Sequence, residues 1–301
     1  MPEKQNRLGS LSMMTASMLI FGTIGLFRKW IPLSSALLSC CRGASGALFL
    51  LLVMALRKKR ARQHIGKRTV ILLVLSGAMI GFNWILLFEA YHYTTVATAT
   101  LCYYMQPIIL VLLSPMLLKE KLTLKKGLCV LAALLGMAFV SGFFENGLPG
   151  AEEAKGILLG LGAAALYAAV VLVNKRLPGM DAFLKTILQL ASAVLAVLPY
   201  VLLTEDIGAA ELTMKTALLV VLVGIVHTGI AYTLYFASMD GLKAQSIAVI
   251  SYLDPIFALV LSACILKEPM TVYGVIGAVL ILGAALVSEW PARSVKNAKR
   301  R

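Results

Sequence analysis

The sequence predicts an all-α membrane protein: ten transmembrane helices in two five-helix inverted-topology repeats. Three observations predict it. Of 301 residues, 60% are hydrophobic and only 14% charged, against about half and about a quarter in an ordinary soluble domain. The apolar residues gather into ten stretches, each near the ~20 residues that cross a ~30 Å hydrocarbon core. The two halves of the chain also resemble each other. The connections are short, near a dozen residues at the longest, so a soluble catalytic or ligand-binding domain is excluded and no enzyme is expected.

The expected spans are 8–27, 33–56, 69–89, 96–118, 126–144, 156–174, 182–203, 216–236, 244–266 and 271–289. Long mixed runs of Leu, Ala, Val and Gly favour helices, because a membrane β-barrel needs ~10-residue segments of strict alternation. The first span lacks an Ala-x-Ala cleavage site and nine more follow it, so it is taken as a helix and not a signal peptide. Span 2 carries Arg42, the adjacent Cys40 and Cys41, and Gly43-Ala44-Ser45-Gly46. That tetrapeptide matches the GxSG pattern of intramembrane serine proteases, with His227 as a conceivable base, but packing of small residues explains it. The glycine pairs Gly77/Gly81 in span 3 and Gly156/Gly160 in span 6 suit close helix approach. All five cysteines fall inside spans without metal-ligand spacing, so no metal or cofactor is expected.

The net charge is +14, and its location decides its meaning. With the N-terminus cytoplasmic, 22 of the 28 Lys and Arg lie on the inner side and 5 on the outer, with Arg42 inside a span. This is a positive-inside pattern with both termini in the cytoplasm. The cell membrane is the expected location. The basic loop (Arg57, Lys58, Lys59, Arg60, Arg62, Lys67, Arg68) and the tail (Arg293 to Arg301) are placed to meet anionic headgroups. Nucleic acid is not an expected partner, since no aromatic stacking platform or readout helix accompanies the basic residues.

Residues 81–123 align without gaps on 229–271, an offset of 148, with 12 of 43 positions identical. The matches include Tyr104/Tyr252, Pro107/Pro255 and the Lys-Glu-x-x-Thr of Glu120 and Glu268. Span 4 thus corresponds to span 9, giving repeats over 1–150 and 151–301. Five helices per repeat is odd, so the second repeat runs inverted.

The pieces PIILVLLSPMLLKEKLT and PIFALVLSACILKEPMT, the latter followed by YGVIGAVLILGAALVS, end the two halves alike. Together with FGTIGLF in span 1, Arg42 in span 2 and FNWILLFEAYHYTTVATATL across spans 3 and 4, they resemble the EamA-type transporters of the drug/metabolite transporter superfamily. That resemblance implies a secondary active transporter, with export of small metabolites such as amino acids, or of drug-like compounds, by alternating access. A passive channel or facilitator for small polar solutes is the alternative, since a polar midplane would serve one too.

Ionisable residues inside a span are functional candidates. Asp254 in span 9 and Arg42 in span 2 both fall near the midplane, where inverted-repeat transporters hold substrate. They face the cavity or form a static ion pair. Asp254 is also the natural carrier if transport is coupled to protons; coupling to another ion is open. Pro107 and Pro255 each free a carbonyl four residues earlier, at Tyr103 and Ser251, and are expected hinges. Asn83, Trp84, Tyr104, Gln106, His227, Tyr232 and Tyr252 complete the expected substrate-binding set.

Overall fold

The computed structural model describes residues 7–28, 30–56, 65–94, 96–140, 154–177, 179–209, 213–265 and 271–290, and the regular structure among them is all helical. The first half holds α1 (Arg7–Gly22), α2 (Ile24–Arg28), α3 (Ser35–Leu56), α4 (Lys67–Tyr93), α5 (Val96–Tyr103), α6 (Gln106–Leu118) and α7 (Leu124–Val140). The second holds α8 (Ala154–Lys175), α9 (Ala182–Thr204) and α10 (Met214–Val223), which runs through a π-helical turn (Gly224–Ile230) into α11 (Ala231–Ser238). Then follow α12 (Ala244–Ser251), α13 (Leu253–Ile265) and α14 (Val272–Glu289). The basic residues at 57–64, the Lys267-Glu268 pair and the tail at 291–301 lie outside the described residues.

Within the described residues every expected span coincides with helix, and six helical stretches among them are long and apolar enough to cross a membrane. They are α3, α4, α8, α9, Met214–Ser238 and Ala244–Ile265, with α6 and Val272–Ser288 as shorter apolar helices. Backbone breaks account for part of the difference. Span 1 breaks at Thr23 and span 4 at Tyr104 and Met105; span 9 is interrupted at Tyr252. Pro107 lies in the first turn of α6, where its missing N–H deprives no helical carbonyl of a partner.

The outer surface carries exposed leucines and valines such as Leu48, Leu52, Leu195, Leu218, Val279 and Leu286, while small residues such as Ala163, Ala164 and Ala168 are fully buried. This inverts the soluble pattern and suits a hydrocarbon solvent, in which packing rather than apolar burial joins helices. Gly77 shows how close that packing is: a Cβ there would stand 2.3 Å from the Gln189 carbonyl oxygen of α9. A buried polar knot reinforces the contact. Gln189 and Asn174 exchange side-chain amide bonds of 2.9 and 3.1 Å, and Ser76 donates to the Gln189 oxygen at 3.1 Å.

Two helix groups result. In one, α5 and α6 pack on α8, which packs on α4; in the other, α1 packs against α11 and α13; α12 lies between them, mainly on α6 and also on α1. Helices α3 and α9 flank them, and α7 pairs with α14.

Candidate functional site

The interrupted spans govern the centre. Helix α6 packs on α12, whereas α5 lies on α8 and α13 on α1. Where α5 and α13 part, a cavity of about 540 Å³ opens. The starting turns of α3 contribute Ser35, Ser39 and Arg42 at helical spacing, and the last turns of α4 contribute Asn83, Trp84, Phe88 and Tyr91. Tyr103 ends α5 at the cavity, Tyr167 and Tyr232 enter from α8 and α11, and Asp254 from the first turn of α13. A carboxylate in that turn is favoured by the positive end of the helix.

The Arg42 guanidinium lies 5.0 Å from the Trp84 ring centroid, a cation–π contact, and its buried Nε has no hydrogen-bond partner. Among the described residues no ion pair joins Arg42 to Asp254. The static-pair alternative is therefore corrected: the two charges stand apart on the wall of one cavity. Asn83 is partly committed to structure, since its amide nitrogen donates to the Ala163 carbonyl at 2.6 Å.

Beneath the cavity the two breaks touch. The Tyr252 hydroxyl donates to the Tyr104 carbonyl at 3.0 Å, and the two rings lie 6.3 Å apart. These are the paired residues of the 148 offset, so equivalent points of the two halves meet here. The bonded carbonyl is that of Tyr104, at the break itself, and not the Tyr103 carbonyl expected from Pro107, which begins α6 and leaves no helical carbonyl without its donor.

The EamA-like transporter family model matches residues 8–142 and again 154–289. The chain belongs to this family. Among its relatives, the "Uncharacterized transporter YxxF" of Bacillus subtilis is 31% identical over 277 residues, 91% of this chain and 87% of that protein. "Protein PecM" of Dickeya dadantii is 26% identical over 72% of this chain and 73% of its own. A solved crystal structure at 22% identity superposes with a TM-score of 0.80 over 94% of this chain and 99% of its own, which shows the shared fold. This EamA-like chain is thus an integral multi-pass membrane protein of a class that moves small solutes.

Within the transporter, the expected site residues divide. Arg42, Asn83, Trp84, Tyr232 and Asp254 line the central cavity; Tyr104, Gln106, Tyr252 and His227 do not. Tyr104 and Tyr252 form the floor contact, and Gln106 is buried at the start of α6 with its amide nitrogen unpartnered. His227 lies in the π-turn and lines a separate, largely apolar crevice beside Thr23 and Phe257. Thr23 donates its one hydroxyl proton to the Ile20 carbonyl, so His227 Nε2 donates to Thr23 at 2.7 Å. Ser45 donates to the Cys41 carbonyl of its own helix, and His227, its partner in the protease pattern, is bonded to Thr23 instead. The glycines of that pattern are packing devices: a Cβ at Gly46 would lie 2.7 Å from the Gly224 carbonyl oxygen.

Phe21, Phe88, Tyr91 and Tyr103 also line the cavity, and the sequence reading did not place them there. Spacing alone could have found Phe88 and Tyr91, which follow Trp84 by four and seven residues on one face. Phe21 required the tertiary structure. It reaches the site because its neighbour Gly22 admits α13 closely, a Cβ there falling 2.7 Å from the Asp254 carbonyl oxygen.

Proposed function

We propose that this chain is a ten-span secondary active transporter with both termini in the cytoplasm. It exports small amphipathic or zwitterionic metabolites through the central cavity by alternating access. The observation that carries the reading is the cavity itself, which holds a guanidinium and a carboxylate that are not paired to each other, within a mostly aromatic wall. Opposed charges held apart suit a solute that brings one charge of each sign, and aromatic faces suit its apolar part. The two family matches, one per half, support a repeat boundary between 142 and 154. The basic inner loops support the orientation.

Asp254 is the proposed coupling residue. Among the described residues it is the one carboxylate lining the cavity and has no cation paired with it, which leaves it free to exchange a proton as the cavity changes sides. No covalent chemistry is invoked, and no metal or cofactor.

A thermal-shift screen of metabolites, followed by solute counterflow in proteoliposomes, tests the reading. The expected result is stabilisation by a solute that then shows saturable, competable counterflow. Flux that rises linearly with concentration and shows no counterflow would establish a channel instead. Asp254→Asn is expected to abolish gradient-driven accumulation while leaving exchange intact. Loss of both would make Asp254 a direct substrate contact, and normal accumulation would remove it from coupling.

A further inference from the structure

The end of the molecule away from the cavity is held by charged side chains of α8 and of the segment after α6, placed on the ends of α11 and α12. Helix α8 starts at the cavity side, where Lys155 donates to the Tyr93 hydroxyl at the end of α4. It ends at Lys175, about 30 Å further on at 1.5 Å per residue. There the Lys175 ammonium donates to the Met239 carbonyl at 2.8 Å and to the Leu242 carbonyl, both just past α11. Beside it Glu120, beyond the end of α6, accepts from the backbone N–H of Ala244 at 3.0 Å. Ala244 opens α12, whose own N-cap residue, Lys243, makes no side-chain cap. A cation thus sits at a helix C-terminus and an anion at a helix N-terminus, each with the favourable sign.

We propose that Glu120 and Lys175 form a two-point charged latch that closes this end and must release for the cavity to open there. The latch rests on the alternating-access reading. Both contacts cross the seam between the halves: Lys175 of α8 holds the end of α11, which packs on α1, and Glu120 after α6 holds the start of α12, which packs on α6 and also meets α1. The neighbouring Arg176 provides a contrast, because it donates to the Leu117 carbonyl at 2.9 Å within one group. The latch bonds also differ from the Ser76–Asn174–Gln189 knot. Glu120 and Lys175 are only half-buried, although the second Glu120 oxygen is enclosed without a hydrogen-bond partner; water admitted on parting can therefore take the place of each partner, whereas the fully buried amides of the knot would be stranded. A charge-assisted bond that water can replace holds a state without trapping it.

The test places spin labels on Lys121→Cys and Lys243→Cys, two exposed positions at this end. The full chain is used, with its five native cysteines changed to alanine, in lipid nanodiscs. Pulsed electron–electron distance measurements are expected to give a dominant near population. Glu120→Ala and Lys175→Met should each raise the far-to-near ratio by roughly tenfold, and Arg176→Met should leave it unchanged. Glu120→Gln keeps the size and an acceptor oxygen, and should shift the ratio in the same direction if the alanine variant does not fold. Folded latch variants with the parental distribution, or an equal shift from Arg176→Met, would overturn the latch. Counterflow by the parent separates the two ideas. Exchange with unshifted variants refutes the latch and leaves alternating access standing, while a single distance in every variant together with no exchange refutes both.

Discussion

At the scale of single residues, the separation of Arg42 and Asp254 changes what their removal should do. A buried ion pair broken on one side strands a charge, and joint removal then restores stability. Here no such pair exists, so Arg42 rests on Trp84 and Asp254 at the start of α13. Arg42→Gln and Asp254→Asn should therefore act additively on thermal stability, with a coupling below about 0.5 kcal/mol in a double-variant cycle. A double variant more stable than either single would restore the static pair. Both residues were legible as costly intramembrane charges, but sequence gave no distance between them.

At the scale of helices, the breaks in spans 4 and 9 carry the argument. Pro107 and Pro255 sit near the starts of α6 and α13, where proline is tolerated, so replacing either with alanine should alter melting little. It should instead allow α5 to run into α6, or α12 into α13, as one continuous helix. Slower counterflow with unchanged substrate affinity is expected, and unchanged rates in both variants would reduce the prolines to packing. The amide knot behaves differently. Gln189→Leu leaves Asn174 with its mutual amide bonds broken, and a loss of about 1–2 kcal/mol is expected from the values seen for interhelical hydrogen bonds in membranes. Thermal unfolding in detergent checks it. Gln189 was noticeable in the sequence only as a polar residue in an apolar run. That it faces Asn174 and Ser76, and not the cavity, depends on how α9 is rotated against α4 and α8.

At the scale of the whole molecule, the orientation is open to direct measurement. Cysteines introduced at Lys155 or Lys215 should react with an impermeant thiol reagent added outside intact cells, and one at Arg62 should not. Labelling at Arg62 from outside would overturn the ten-span arrangement with both ends inside.

The sequence by itself determined the membrane class, the positions of the helices and the family. Composition, run length and a 148-residue recurrence are properties of the chain order, and they survive without coordinates. It also indicated that Tyr104 and Tyr252 are equivalent, and that Arg42, Trp84, Tyr232 and Asp254 are unusual where they stand. Only the tertiary structure decided which of these share a cavity. A helix can turn about its own axis without any change in sequence, and in lipid there is no strong apolar-inward rule to orient it. Close contacts set the rotation instead, as at Gly77 against Gln189 and Gly22 against Asp254. Those contacts sent His227 to Thr23 and Tyr252 to Tyr104, and turned Phe21 and Tyr103 toward Asp254 in the cavity.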